Sequence, residues 1–330
     1  MSTIQTDLPE TASSQQTTCT FDESDTRADD MRDQLDAWVA DLAELTDDAQ
    51  ASEQFQRWLD VQSKFHDYSA RNTLLIQLQC PEATKVAGYN TWQEEFDRQV
   101  QQGEDAIWIW APIITNKCPE CENSPSYHAN TECEYDETEP DDWSRGLVGF
   151  RPTAVFDISQ TEGEPLPDLE TETHGDANGL VEALLAATDD IGVDATIVAP
   201  EEWKHGSARG VCERRSVTTT NPVVEVVDRD NRADLARTLI HEFAHALLHF
   251  ERDPDEETSR LEVEAEAVAY IVSRHFGLDS DNSAFYLAAW DDDAPETLHD
   301  RLDRISATAA ALIDAVEDYT ALVNRQMALD

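Results

Sequence analysis

Lysine is almost missing from this chain of 330 residues: Lys64, Lys85, Lys117 and Lys204 are its only lysines. Arginine supplies the rest of the 23 basic residues, against 70 acidic ones, for a formal net charge of −47. The acid is spread along every segment rather than gathered in a tail. Such a surface repels itself, and multimolar salt, with a Debye length of about 3 Å, screens that repulsion. The composition therefore reads as a surface adapted to high salt. A DNA-mimicking protein, the other acidic class, would concentrate its charge on one face. Long apolar runs are lacking too. No stretch approaches the roughly 18 apolar residues of a membrane span. Residues 1–20 are rich in Ser, Thr and Gln, with no apolar core for a signal peptide. The expected location is cytoplasmic, with no membrane partner. The six cysteines would be reduced there, and their spacing speaks for metal more than for disulfides.

One stretch stands out as apolar and free of Gly and Pro: Thr238-Leu239-Ile240-His241-Glu242-Phe243-Ala244-His245-Ala246-Leu247-Leu248-His249. On a helix His241 and His245 lie one turn apart on one face. Two imidazoles so placed can bind one Zn²⁺, and Glu242 beside them can take a proton from a bound water. Leu239, Ile240, Phe243, Ala244, Leu247 and Leu248 can pack the helix into a core. The third ligand is expected on a following helix, residues 261–272. Glu262 and Glu266 are one turn apart there. One can bind the metal while the other accepts the free N–H of a ligand histidine. Glu264 points elsewhere and is expected in solvent. For His249 to be a third histidine ligand, the metzincin pattern needs a Gly and a longer spacing, and both are missing. His249 reads instead as a helix-end residue whose charge suits the dipole. Spacing alone also permits Mn²⁺ or Fe²⁺ at a site of two His and one carboxylate.

Taken in order, residues 1–28 are polar, acidic and expected to be disordered. Apolar residues then recur at three and four: Met31, Leu35, Trp38, Val39, Leu42 and Leu45 in one helix, Phe55, Trp58, Leu59, Val61 and Phe65 in a second. A third helix covers 68–79. Residues 83–92 read as a strand and turn, 92–100 as a short helix and 106–113 as a strand. The insertion at about 114–149 carries Cys118, Cys121, His128 and Cys133. That set can complete a tetrahedral Cys₃His zinc site, which would staple a loop too poor in apolar residues to fold alone. A closed ligand set leaves no place for substrate, so this zinc is structural. The Pro-, Glu- and Asp-rich stretch 162–176 marks a linker, placed at 166–178. Beyond it come an amphipathic helix from 179, strands at 194–199, 208–213 and 223–227, the His-Glu-x-x-His helix capped by Asp230 or Asn231, and a C-terminal helix carrying Leu298, Leu302, Ile305, Leu312 and Val316. Tyr286, between the last helices, reads as packing. The edge strand can hold an extended peptide by strand addition.

His-Glu-x-x-His followed by Glu-x-x-x-Glu resembles a gluzincin metallopeptidase domain of the ImmA/IrrE-like and ArdC-like groups. The resemblance implies His241, His245 and Glu262 as ligands, Glu242 as the catalytic base, and Glu266 behind a ligand histidine or as the alternative ligand. Four further motifs occur in the order seen in the N-terminal domain of ArdC-like antirestriction proteins. They are Ser69-x-Arg71-Asn72, Val86-Ala87-Gly88-Tyr89-x-Thr91-Trp92, Ile107-x-Ile109-x-Ala111-Pro112 and Val155-Phe156-Asp157-Ile158-Ser159-Gln160-Thr161-Glu162-Gly163. This likeness, of a halophilic archaeal type, spans about residues 30–170 and implies binding of single-stranded DNA. Arg71, Asn72, Lys85 and Trp92 are the candidate contacts, since a single strand needs cationic and stacking side chains. The negative net charge opposes DNA at low salt, and high salt weakens phosphate contacts.

The reading is an α+β chain: an ArdC-like domain at 29–165 and a zincin-like metallopeptidase domain at 179–330. The expected activity is a metallo-endopeptidase with two Zn²⁺, one catalytic and one structural, acting on a protein or peptide. The alternative is a non-proteolytic, single-stranded-DNA-binding antirestriction protein of a mobile element, its zincin domain a metal-stapled scaffold.

Overall fold

The computed structural model describes residues 19–44, 49–131, 133–135, 138–164, 177–213, 221–250, 258–278 and 295–327. Leu45, Tyr286 and the expected linker, up to the first residues of the helix that follows it, lie outside them. The chain opens with helices α1 (Arg27–Glu44), α2 (Ala49–Lys64) and α3 (Ala70–Gln79). The apolar stripe of α1 faces inward as its spacing predicts, with Met31, Leu35, Trp38, Val39 and Leu42 buried. Order begins earlier than the composition suggests. Phe21 is 4% exposed, and the Cys19 N–H donates to the Leu78 carbonyl at 3.0 Å. The expected disorder of 1–28 thus fails over residues 19–28, because one aromatic side chain anchors them on the core.

Next come β1 (Val86–Gly88), α4 (Tyr89–Glu94), β2 (Arg98–Val100), β3 (Ile107–Asn116), α5 (Pro125–His128), β4 (Arg145–Asp157) and β5 (Thr161–Gly163). The sheet order is β1-β4-β3, all antiparallel, and β2 pairs separately with β5. The helix expected over 92–100 stops at Glu94. Asp97 then takes a positive φ of 54°, and Arg98 donates to the Thr161 hydroxyl and carbonyl at 2.8 and 3.1 Å. Long-range pairing overrides local helix preference here. β3 is an edge strand, yet two of its residues find side-chain partners. The Asn72 amide bonds both N–H and C=O of Trp110, at 2.8 and 2.9 Å, and Gln79 does the same for Trp108. Side-chain amides thus stand in for a missing neighbour strand.

The second half runs α6 (Ala177–Ala186), α7 (Thr188–Ile191), β6 (Asp194–Val198), β7 (Gly210–Glu213), β8 (Val223–Val227), α8 (Arg232–His249), α9 (Thr258–His275) and α10 (Pro295–Met327). The sheet order is β6-β8-β7, with β6 parallel and β7 antiparallel to β8, so β7 is an edge. The two halves share one core. Phe55, Trp58 and Leu59 of α2 belong to the same buried cluster as Leu239, Phe243 and Val268. Tyr270 of α9 donates to Asp60 of α2 at 2.7 Å. Each fully buried Leu or Phe in this cluster contributes about 1.5–3 kcal/mol. A smaller cluster, including Phe65, Ile76, Ile109 and Val155, fills the space between α3 and its sheet. Among the described residues no helix is long and apolar enough to cross a membrane.

Candidate metal centres

Helix α8 starts where the sequence predicts. The Asn231 side chain accepts from the Asp234 N–H at 3.1 Å, satisfying one of the otherwise orphaned amides of the first turn. Leu239, Ile240, Phe243 and Ala244 are fully buried, which leaves the opposite stripe, His241 and His245, facing a cavity of about 970 Å³. The His241 and His245 Nε2 atoms stand 3.1 Å apart. Glu262 of α9 reaches both, 3.4 Å from each Nε2 through separate carboxylate oxygens. One donor atom from each of the three lies within 4.8 Å of the others, so one cation can touch all three. Glu266 faces the far side of His241, 3.4 Å from Nδ1, and pairs with Arg237.

The electrostatics fit a cation site. Burial pulls the His241 imidazolium down, but Glu262 and Glu266 outweigh it and lift its pKa to about 9. The two histidines hold the Glu262 carboxyl well below the usual carboxylate range, against its partial burial. Glu242, 8% exposed, is pushed up to about 7, first by burial, with His241 opposing and Glu262 adding. A carboxyl near neutrality can both take and return a proton. Its neighbour across the cavity is Gly210 of β7. A Cβ there would lie 2.7 Å from both Glu242 Cγ and Oε1, and 2.9 Å from Thr238 Cγ2. Beside it, burial and then Glu242 push the Cys212 thiol up to about 12, so it stays protonated.

Two sequence expectations fail here. Glu264 is fully buried, not solvated, and His249 is 6% exposed rather than an open helix end. They bond each other at 2.9 Å, His249 also meets His245 at 3.1 Å between Nδ1 atoms, and Arg301 and Arg304 of α10 hold Glu264. Burial outweighs the Glu264 carboxylate at His249, whose pKa is lowered, so no helix-end charge is required of it. A signal for Glu264 was present: it follows Leu261 by three and precedes Val268 by four, which places an acid on the buried stripe. The partners on α10 had none, being 37 and 40 residues away.

The second cluster sits at the tip of the β3–β4 ribbon. Cys118, Cys121, His128 and Cys133 each offer a ligand atom within 4.8 Å of the rest. The Cys118 N–H bonds the Asn123 carbonyl at 2.9 Å, and the Glu122 N–H returns to the Cys118 carbonyl at 3.0 Å, a tight turn that brings Cys121 round. His128 packs edge-on against buried Trp143, ring centres 5.0 Å apart. His128 Nδ1, 3.3 Å from the Cys121 sulfur, lowers that thiol to about 6. All the cysteines are free of disulfides.

The candidate DNA contacts do not converge. Trp92 is 1% exposed, with its Nε1 donating to the Phe156 carbonyl at 2.8 Å, so it cannot stack on a base. Asn72 is spent on the β3 edge. Lys85 is exposed, and exposed Arg71 lies 3.5 Å from Asp303. A feature not foreseen from sequence lies on the ribbon: residues 106–117 and 143–156 contain no Asp or Glu. Leu147 and Phe150, 48% and 58% exposed, pair with Ile114 and Pro112, so their side chains share a face. Arg145 and Arg151 are exposed on the same ribbon. Phe150 and Trp110 also line a cavity of about 780 Å³ against α10, whose charged lining is mixed: Arg32 and Arg71 with Asp36, Asp67 and Asp303.

The fold and its clusters define a mixed helix-and-sheet protein in which, among the described residues, three groups of side chains can hold a metal ion: the two above and the more open His66, Asp67 and Asp314. Residues 22–147 match the family model for the N-terminal domain of the anti-restriction factor ArdC. An uncharacterized protein of Bacillus anthracis is 24% identical over 310 residues, covering 86% of this chain and 51% of its own. The chain thus spans about half the length of that curated relative. The metal-free crystal structure of antirestriction ArdC protein from the R388 plasmid is 17% identical, with a TM-score of 0.45 over 77% of this chain and 86% of that one. Its Mn(II)-bound structure is 16% identical, with a TM-score of 0.43 over 81% and 98%.

Proposed function

We propose that this protein is an antirestriction factor of the ArdC kind, whose N-terminal half engages single-stranded DNA. The match over residues 22–147 supports the antirestriction role. The observation that carries the DNA contact is the acid-free ribbon. In a chain of net charge −47, a long two-stranded surface bears Arg145 and Arg151 but no carboxylate, with Phe150 open to stack. Stacking tolerates salt better than phosphate contacts do, because it releases no counterions. Titration of a labelled single strand in concentrated potassium chloride tests it. Absence of binding at every salt concentration removes the DNA role.

A second reading concerns the centre on α8 and α9, and the position of Glu242 favours it. Zn²⁺ is the ion we assign to both clusters; at His241, His245 and Glu262 it would supply Lewis acidity to water and to a carbonyl. The edge of β7 borders the same cavity, so an extended peptide can add to it as a strand. The Glu242 carboxylate takes a proton from the attacking water and delivers it to the leaving amine nitrogen. The reaction is then hydrolysis of a peptide bond. In the Cys cluster, three sulfurs and one imidazole form a soft, closed set that suits Zn²⁺ as a staple. Glu242→Gln separates catalysis from scaffolding, since it leaves all three ligands in place. Protection of incoming unmodified DNA that survives this change, with metal retained, makes the centre a scaffold and ends the peptidase reading.

A further inference from the structure

We infer, resting on the metal-centre reading, that His249 and Glu264 position the metal ligand His245 by deciding which of its ring nitrogens carries the proton. The contacts form one line: His245 Nδ1 to His249 Nδ1 at 3.1 Å, then His249 Nε2 to Glu264 Oε2 at 2.9 Å. Glu264 is fully buried and anchored by Arg301 and by Arg304, the latter at 3.1 Å. A carboxylate holding two guanidinium groups only accepts, so the proton shared with His249 sits on His249 Nε2. Only one hydrogen fits between the two Nδ1 atoms. With His249 Nδ1 as a lone pair, that hydrogen belongs to His245 Nδ1. His245 Nε2 is then left bare, on the side where His241 and Glu262 converge. The opposite order would put a hydrogen on His245 Nε2 and block the cation. Two arginines of α10 thereby set the proton arrangement of a ligand on α8, through a carboxylate on α9.

His249 and Glu264 are positioning residues, and a plain packing role is the competing account. The test uses the full chain in potassium chloride and reads two quantities. The first is the Zn²⁺ dissociation constant, by chelator competition, for the zinc lost on His241→Ala. The second is the proton position on His245 and His249, by long-range ¹H–¹⁵N correlation. His249→Phe keeps a ring and removes the acceptor. It should weaken Zn²⁺ by about 10- to 100-fold, the usual effect of losing a partner of a ligand histidine. His249→Gln restores an acceptor and should recover most of that loss, which a packing role would not produce. Wild-type protein should show His249 protonated on Nε2 and His245 on Nδ1. Zinc that His249→Phe holds as tightly as wild type, or His249 protonated on Nδ1, overturns the inference alone. A wild-type chain with no zinc sensitive to His241→Ala overturns the metal-centre reading and the inference with it.

Discussion

Gly210→Ala probes how tightly β7 closes on Glu242. The new Cβ would lie 2.7 Å from Glu242 Cγ and Oε1 and 2.9 Å from Thr238 Cγ2. Ordinary contact begins near 3.4 Å, so the shortfall is about 0.7 Å at Glu242 and about 0.5 Å at Thr238. The carboxylate tip can rotate away. Cγ clears the new Cβ only if Glu242 leaves its χ1 rotamer, and the backbone carrying it and Thr238 is held, because the other face of the helix is fully buried. Either β7 moves outward or Glu242 changes rotamer. Overpacking of this kind costs typically about 1–3 kcal/mol, read as a lower urea midpoint. If the proposed peptidase reading holds, a displacement approaching 1 Å at Glu242 can cost about 100-fold in rate, read on a quenched-fluorescent peptide mixture. Zinc content should not change, since no ligand is touched. Gly149→Ala is the control: nothing lies within 4 Å of its Cβ and its φ is ordinary. A Gly210→Ala protein as stable in urea and as active as wild type would refute the close approach of β7 to Glu242.

Asp157 links β4 to the residues before β1, accepting from the Thr84 and Lys85 N–H groups at 2.8 and 3.0 Å and from Ser159. Burial raises its carboxyl, but these donors outweigh it and hold it below the ordinary 3.8. A depressed folded pKa means the stability is present above 3.8 and is lost as pH falls below it through the folded value. Asp157→Asn turns an amide onto two N–H donors and should cost about 3 kcal/mol at pH 7, two bonds to a charged acceptor at about 1.5 each; the gap to wild type should hold down to a pH of about 5 and narrow as pH falls below 3.8 through the folded value. Equal gaps at pH 7 and pH 3 would count against the carboxylate. Cys121→Ser should release one metal ion per chain by elemental mass spectrometry while the zinc sensitive to His241→Ala stays; loss of both would mean the clusters are not independent. Phe150→Ala should weaken single-strand binding by about 1–3 kcal/mol, the value of one stacked base, and an unchanged dissociation constant would remove the ribbon from the interface.

Local pattern made several elements legible. The three-and-four spacing of Met31, Leu35 and Trp38 announces α1, and the run around His241 announces α8, because a helix repeats its neighbours every turn. The same rule places His241 and His245 together on one face and Glu262 and Glu266 on another. The short spacing of Cys118 and Cys121 likewise announces a metal-ligand turn, outside any helix. Tertiary contact decided the rest. Trp92 resembles a stacking residue in sequence, yet the fold buries it beneath the Phe156 carbonyl. Asn72 resembles a polar contact, yet it covers a strand edge that exists only once β3 has docked on α3. The open choice between Glu262 and Glu266 turns on the placement of α9 against α8, which directs one carboxylate to both Nε2 atoms and the other to Nδ1. Burial of Glu264 needed α10, which returns from far along the chain with Arg301 and Arg304. By itself the sequence determined which residue types repeat at helical or metal-ligand spacing, since those distances follow from backbone geometry. Which of those side chains face one another was decided only by the packing of α8, α9, α10 and β7, because burial and charge compensation depend on partners that no local pattern specifies.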